Sequence, residues 1–597
     1  MDGYIKARTY DSTLKPDIIK DSHATAFYGL WKNTAEANGM TTEFLLYTPR
    51  DYFPWNRLVI CICPKDKDPE VFANETTWME TAEKTSGGIR EACAVLFFPL
   101  SDNGYEADKK LLNRTIDILA DPNIDMIKYA SDGLYMVGYG READFAVRFA
   151  LEHPAFFAGV CALGADDIDG SFIKEAAEKP CFVFSENRTF TIDGIVNKDA
   201  RLPFWLINDE NGNEELLQYL KKINRVTSEG KKNDIADIFE ERHYFPDRDI
   251  NTSNISRVWV SDIKGAGEAY RDEELTKRIW KDFFYPVCRY MGDPMGSLRS
   301  YYTMREMGIR IYEERMYHSA FDAEIKRYFA VFTPSCYNGN TPLPLVVATH
   351  GFTGTFEMFA RNSDFCSVAE NHGFIVVFTQ AGPNDIHSGH ARWRTDRIQA
   401  RPMMRFGGRT DTIEDLESEM DYFRKVVKRV TEDYAVDPER IYCTGHSNGS
   451  ITTNAVAELL DDIFAAAVPV GAPAKQYETY EEMPLKERRM PFMDIENTYD
   501  RCPDPTDKEG NLYSELTYRL KMNGYDCDAT GFLASEDKMM IVREYINQDG
   551  IPAVKSITYK NACHAYQPVT SELVWDFVKD FRRTADGRSW YKGREIR

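Results

Sequence analysis

The chain lacks any apolar run approaching the roughly 18–20 residues needed to cross a bilayer, which argues against a membrane-embedded role. Its first residues, MDGYIKARTYDSTLKPDIIKDSH, are polar and lack the apolar stretch of a secretory leader. Positive charge is in deficit: 73 Lys and Arg stand against 95 Asp and Glu, a formal net charge of −22. That balance repels a phosphate backbone over most of the surface and disfavours nucleic acid as a partner. Cysteine is sparse, 12 residues in 597, and several (Cys61, Cys63, Cys161, Cys443) fall inside apolar, strand-like runs. They read as buried thiols of a reducing compartment rather than a disulfide framework, so a cytoplasmic location is expected. Histidine is scarcer still, ten in all, and that scarcity becomes useful below.

What is present is a globular composition, 43% hydrophobic and 28% charged, in a chain too long for one ordinary core. The length carries an internal repeat. Leu45–Pro49 (LLYTP) corresponds to Ala330–Pro334 (AVFTP), and LVICIC from Leu58 to LVVATH from Leu345. GLYMVGYGREA from Gly133 answers RIYCTGHSNGS from Arg440, and LPFWLINDENG from Leu202 answers MPFMDIENTYD from Met490. AGEAY from Ala266 answers the residues around His564, each followed by a tryptophan, Trp280 or Trp575. Five short matches in the same order define two copies, at about 41–300 and 315–597, behind an N-terminal extension of residues 1–40.

Each copy alternates short apolar runs with amphipathic stretches. In EDLESEMDYFRKVVKRVTEDY, Leu416, Met420, Phe423, Val427 and Val430 recur at helical spacing and predict a helix over 414–434. Strands alternating with helices predict an α/β class built of two tandem domains, each a mostly parallel sheet flanked by helices.

The chemistry concentrates in the second copy. Gly445-His446-Ser447-Asn448-Gly449 fits G-x-S-x-G between a strand and a helix, the sharp turn that lifts a serine hydroxyl above a sheet. A serine needs a base. Only His564 follows Ser447, in a loop between a strand and a helix. The third member is a carboxylate on the loop after PFMDI: Asp500 is chosen, with Glu496 and Asp504 as rivals and Asp494 inside the strand. Backbone donors for an oxyanion are expected at Asn448 and at Phe352 in His350-Gly351-Phe352-Thr353-Gly354, with Thr353 close behind. His350 is read as shaping that loop.

These motifs, LVVATHGFTGT, VDPERIYCTGHSNGS, PFMDIENTYD and the CHAY histidine, give a segment of about 325–585 that resembles the α/β-hydrolase superfamily. Within it the likeness is to the polyhydroxybutyrate depolymerase and feruloyl esterase group. The resemblance implies that fold and a serine–histidine–acid triad. Two departures from the group's pattern are a longer, more acidic loop after PFMDI and Glu-Asn-Thr at the strand end in place of His-Gly-Thr.

The first copy has lost each of these parts. Gly140 occupies the serine slot, Cys63-Pro64 the oxyanion loop, Asn211 or Gly212 the acid slot and Glu268 the histidine slot. It is read as a structural pseudo-domain that packs against the active copy; a relic pocket that binds a ligand or gates the other site is the sharper alternative.

A loop before Glu414 carries Arg392, Arg394, Arg397, Arg401, Arg405 and Arg409 in an otherwise acidic chain. Trp393 and Phe406 are candidates for an aromatic substrate wall, and Arg392, Arg394 and His446 for substrate contacts. The plainer reading pairs the arginines with Asp396 and Asp411. His387 and His390 lack a third ligand, so no metal and no cofactor are expected. The expectation is a serine carboxylic ester hydrolase acting through an acyl-enzyme on a small soluble ester, aromatic or hydroxyacyl in kind. A homo-oligomer is left open. A serine peptidase of prolyl-oligopeptidase type and a non-enzymatic binding or scaffold protein are the alternatives.

Overall fold

The computed structural model describes residues 29–596 except 50–55, 84–92, 121–128, 166–167, 186–187, 210–211, 227–228, 244–253, 291–296, 320–321, 384–390, 396–410, 474–488, 501–502 and 568. The described chain falls into two compact units, divided between Thr303 and Met304.

The N-terminal unit holds β1 (Gly29–Ala37), β2 (Met40–Thr48), β3 (Asn56–Cys63), β4 (Ala94–Pro99), β5 (Tyr129–Tyr139), β6 (Gly159–Leu163), β7 (Phe204–Asn208), β8 (Lys231–Lys232), β9 (Asp237–His243) and β10 (Asn254–Asp262). They form one sheet in the order β1-β2-β4-β3-β5-β6-β7-β10-β9-β8. The C-terminal unit holds β11 (Arg310–His318), β12 (Ala323–Phe332), β13 (Leu343–Thr349), β14 (Ile375–Thr379), β15 (Val436–His446), β16 (Ala466–Val470), β17 (Phe492–Asn497), β18 (Leu533–Glu536), β19 (Met540–Tyr545) and β20 (Val554–Tyr559). Its order is β11-β12-β14-β13-β15-β16-β17-β20-β19-β18, the same permutation. In both sheets the central strands pair in parallel and the edges antiparallel. Even a local irregularity repeats, between Asn56 and Leu58 in one unit and between Leu343 and Leu345 in the other.

The sheets start earlier than the repeat suggested. β1 pairs along its whole length with β2, so the first sheet begins inside the segment set aside as an extension. β11 begins at Arg310, ahead of the expected boundary at 315. Both are edge strands with polar residues interspersed (GLWKNTAEA, RIYEERMYH), and so lack the continuous apolar signal of an interior strand.

That signal is plain in β13. Leu345 and Val347 enter the core on one face, Val346 and Ala348 the core on the other, and all four are buried. A strand covered on both faces has no place for a polar position, which is why LVVAT reads as an unbroken run. Helices do the covering: α1 (Tyr105–Ala120) and α2 (Glu142–Glu152) in the first unit, α3 (Ile413–Asp433), α4 (Asn448–Leu459) and α5 (Thr570–Val578) in the second. α3 is set by a capping box. Thr412 Oγ1 accepts from the Asp415 N–H at 3.3 Å, and Asp415 Oδ2 accepts from the Thr412 N–H at 2.9 Å. Such a cap contributes about 1 kcal/mol. The stripe of Leu416, Met420, Phe423, Val427 and Val430 contributes more: all five are buried, each side chain adding about 1.5–3 kcal/mol.

Cys61, Cys63, Cys161 and Cys443 are buried and not disulfide-bonded. Among the described residues no helix is long and apolar enough to cross a membrane.

Candidate active site

β15 delivers the candidate nucleophile. It ends at His446, and Ser447 turns the chain into α4 with φ 57° and ψ −116°, a conformation that strains a residue bearing a Cβ. Two glycines make the turn sterically feasible. A Cβ on Gly445 would lie 1.7 Å from Thr349 Oγ1, and one on Gly449 would lie 2.5 Å from the Thr349 carbonyl oxygen. The flanking backbone therefore packs against the end of β13, and only glycine fits at either position. The Ser447 N–H is anchored at 2.9 Å to the Val470 carbonyl at the end of β16.

The turn aims the hydroxyl at a histidine. Ser447 Oγ lies 2.8 Å from His564 Nε2, and His564 Nδ1 lies 2.5 Å from Asp500 Oδ1. The structure thus brings together the three residues chosen from sequence, although Asp500 and His564 come from loops 64 positions apart. The rivals for the acid are elsewhere: Asp494 and Glu496 are buried within β17, and Asp504 accepts from the N–H and hydroxyl of Thr506.

The loop after β13 lies above the serine. A Cβ on Gly351 would come 3.2 Å from Ser447 Cβ, and Phe352 follows, half-buried. Thr353, at φ 62°, gives its N–H to the Ala391 carbonyl at 2.8 Å, which removes it as an oxyanion donor. Asn448 opens α4, where backbone N–H groups have no acceptor within the helix and the helix dipole favours negative charge. His350 is fully buried, with Nδ1 2.7 Å from the Gly351 oxygen and Nε2 accepting from the Ala381 N–H at 3.1 Å. Burial holds its ring down to about 4, so it stays neutral and shapes the loop.

With that geometry in view, the comparisons with known proteins are informative. The family model "Prolyl oligopeptidase family" matches residues 416–511. The probable acetylxylan esterase A of Aspergillus flavus is 29% identical over 153 residues, 26% of this chain and 43% of that protein. Acetylxylan esterase A of Aspergillus ficuum is 30% identical over 192 residues, 32% of this chain and 52% of that protein. The C-terminal unit is akin to the α/β-hydrolase esterases. The chain spans about half the length of the curated relatives it matches. Among solved structures, the acetyl xylan esterase from Aspergillus awamori is matched over 45% of this chain and 99% of its own, at 15% identity and a TM-score of 0.32.

Several substrate contacts expected of this esterase-like unit are reassigned by the structure. Trp393 is fully buried rather than a pocket wall. Its indole N–H donates to the His350 carbonyl at 2.9 Å, and its ring packs 5.3 Å from Phe423. The indole is therefore a core strut, placed there because its one polar atom finds an acceptor inside. Arg392 forms a two-pronged ion pair with Asp411 at 2.9 and 2.7 Å, and Arg394 joins the same carboxylate at 3.0 Å. The Asp411 side chain is itself buried, so these charges serve the fold, as in the plainer of the two readings of the loop, and both guanidinium groups are engaged internally. His446 is 5% exposed, its ring 4.9 Å from that of His564 and edge-on to Tyr566. Burial, with the neighbouring His564 adding to it, keeps His446 neutral, and its ring packs against that of His564. Asp396, Arg397, Arg401, Arg405, Phe406, Arg409, His387 and His390 lie outside the described residues.

Two side chains at the site had no part assigned from the sequence, where Asn448 was named for its backbone N–H alone. Asn497, at the end of β17 and fully buried, holds Asp500 Oδ2 with its backbone N–H at 2.9 Å and its amide at 2.8 Å. The same amide reaches the Ala565 carbonyl, next to His564, at 3.2 Å. The only available signal was an asparagine three positions before the acid. The side chain of Asn448 clamps Trp393 reciprocally, accepting from its N–H at 2.8 Å and donating to its carbonyl at 3.3 Å.

The N-terminal unit keeps the backbone of this site without its side chains. Gly140 has φ 57°, the same value as Ser447, and its N–H bonds the Leu163 carbonyl at 2.8 Å as that of Ser447 bonds Val470. Gly164 and Gly471 repeat the pattern one strand on, at φ 75° and 76°. Glu268 stands in the histidine slot, and Pro64, which has no N–H, in the oxyanion loop. Of the acid slot, Asn211 lies outside the described residues and Gly212 has no side chain.

Proposed function

We propose that the C-terminal unit is a serine carboxylic ester hydrolase that works through an acyl-enzyme. The observation that carries this reading is the 2.8 Å approach of Ser447 Oγ to His564 Nε2, with Asp500 on the far ring nitrogen. In the first half-reaction Ser447 Oγ attacks the ester carbonyl carbon while its proton passes to His564. Asp500 holds the ring and offsets the positive charge that forms on it. The carbonyl oxygen becomes an oxyanion facing the N–H groups of Phe352 and Asn448, which we assign as its donors. The tetrahedral species collapses, the C–O bond to the alcohol breaks, and His564 returns the proton to the leaving oxygen. Water then repeats the sequence on the acyl-serine, releasing the acid and free Ser447.

The substrate we propose is a small soluble ester. An acetyl group is the first acyl to try, because the matched Aspergillus proteins are named acetylxylan esterases; hydroxycinnamoyl and hydroxyacyl esters are next, from the likeness to feruloyl esterases and polyhydroxybutyrate depolymerases. A peptidase is the second reading, favoured by the prolyl oligopeptidase family match over 416–511. Hydrolysis of acetyl, butyryl and methyl hydroxycinnamate esters and of chromogenic peptide amides, by wild type and Ser447→Ala, tests both. Ester turnover that vanishes in Ser447→Ala is the expected result. Faster cleavage of the amides selects the peptidase, and ester turnover surviving in Ser447→Ala refutes the site. The N-terminal unit we read as non-catalytic.

A further inference from the structure

We infer that the N-terminal unit is a binding domain for a neutral, polyhydroxylated ligand of oligosaccharide size, seated in the crevice where its lost active site would be. This goes beyond the ester-hydrolase reading and does not depend on it.

A cavity of about 990 Å³ opens over the carboxyl ends of the parallel strands of the first sheet. Its lining comes from the segment after β3 (Pro64 to Lys67), from Leu100 after β4, from the β5–α2 turn, and from Gly164, Asp209 and Gly267 after β6, β7 and β10. This is the edge where open α/β sheets bind ligands. Its size is at the upper end of the range for small-molecule sites, roughly 300–1,000 Å³.

The floor is backbone. Gly140, Gly164 and Gly267 converge there: a Cβ on Gly267 would lie 2.9 Å from Gly140 Cα, and one on Gly164 would lie 3.3 Å from the Gly267 nitrogen. The loop that in the other unit presents a histidine here closes onto the empty serine slot. Among the described lining residues there is no serine, threonine or cysteine, but there is a floor of peptide groups.

The walls decide the ligand. Four basic side chains (Lys65, Lys67, Arg141, Arg148) are interleaved with six acidic ones, Asp66 and Glu268 among them. A simple anion would face the carboxylates, a simple cation the basic groups, and an apolar ligand would strip water from all ten. Lys65, Asp66, Arg141 and Glu268 are exposed and make no ion pair among the described residues, so donors and acceptors of both kinds point at the same space. Hydroxyls both donate and accept, and a ligand carrying many of them satisfies such a mixed set without a net charge. Half-buried Tyr105, backed edge to face by buried Phe145 at 5.5 Å, adds an aromatic surface for the C–H faces of such a ligand.

The test is saturation-transfer NMR and calorimetry on the full chain with short neutral oligosaccharides of xylose, glucose and mannose, with a tripeptide and inorganic phosphate as comparators. At least one oligosaccharide is expected to saturate the protein. Its affinity is expected to fall about tenfold or more in Arg141→Ala/Glu268→Ala, and likewise in Lys65→Ala/Asp66→Ala on another wall. All four positions are exposed, so an unchanged thermal melt of each double variant is the separate readout of a folded chain. The inference is overturned by failure of every oligosaccharide to saturate below about 10 mM, by binding that both double variants leave intact, or by binding of phosphate or the tripeptide alone.

Discussion

The proposed triad of Ser447, His564 and Asp500 rests on one unassuming side chain. Asp500 is tied by Asn497 through two hydrogen bonds, and the same asparagine reaches the backbone beside His564, so it fixes the spacing of acid and base together. Asn497 acts through these residues and is a positioning residue. Asn497→Ala removes the amide bonds; a hydrogen bond to a charged group is worth about 1.5–3 kcal/mol, so kcat for an ester is expected to fall about 10- to 100-fold. Asn497→Asp is more diagnostic. It sets a second carboxyl beside Asp500, and whatever negative charge that buried group carries stabilises protonated His564, so the acid limb of the kcat/KM profile moves to higher pH. An Asn497→Ala variant that loses Tm but keeps kcat would mean that the asparagine only supports the fold. The reassigned residues teach the same lesson. Trp393 and Arg392 were conspicuous in the sequence because they are large or charged, yet partner groups inside the protein, the His350 carbonyl and Asp411, take up their polar atoms.

At the scale of the element, β17 carries two acids where an interior strand should have none. Asp494 and Glu496 lie two residues apart and so share a face of the strand; both are fully buried, whereas the repeat places Leu206 and Asn208 at the matching positions of β7. Burial pushes both carboxyls well above their ordinary values; after burial, Asp494 is raised chiefly by Glu515 and Glu496 chiefly by Asp494, with Asp500 contributing to each. A carboxyl raised in the folded chain binds its proton there more tightly than in the unfolded chain. Its stabilisation is complete below the unfolded value, near 4.5 for Glu496, and is lost as pH rises through the folded one, by up to about 1.4 kcal/mol per pH unit per group. His350 and His446 act in the opposite direction: their folded values are lowered, so stability falls as pH drops below about 6.5, where the unfolded chain takes up protons first. Glu496→Gln mimics the protonated acid. Thermal melts from pH 4 to 9 are expected to match wild type at pH 4 and to show a growing gain in Tm toward pH 9; a constant offset at all pH values would show that Glu496 is ionised in the fold. Nothing in the strand's pattern foretold this. The apolar run and the flanking proline made β17 legible as an interior strand, but whether a carboxyl inside it is charged depends on what the neighbouring elements bring, and a one-dimensional pattern does not hold that. The serine and histidine were legible for the converse reason: a strained turn demands Gly445 and Gly449 locally, and only one histidine follows it.

For the whole molecule, duplication is the organising fact, since both units thread ten strands in one permutation and repeat one left-handed turn at Gly140 and Ser447. Short matched blocks sufficed to show the repeat in the sequence, because both copies keep residues that suit a tight turn or an interior strand even where the side chains of the site differ. The edges were less legible: β1 and β11 mix polar with apolar residues and give no run to find. A duplicated fold with one equipped site predicts one reactive serine per chain. An organophosphonate that captures activated serines is expected to add a single adduct to the intact protein, at Ser447, and none to Ser447→Ala. The sharper variant is Gly140→Ser combined with Ser447→Ala, which restores a hydroxyl to a turn of the same φ, with no backbone or side-chain atom closer than 3.6 Å to the new Cβ. It is expected to stay unlabelled, because Glu268 occupies the histidine slot and Pro64 cannot donate to an oxyanion, so no group lowers the barrier for attack. Labelling of that variant at the introduced serine would mean that the first crevice retains a base and is a dormant catalytic site; its silence, beside normal labelling of Gly140→Ser alone at Ser447, assigns all serine chemistry to the C-terminal unit.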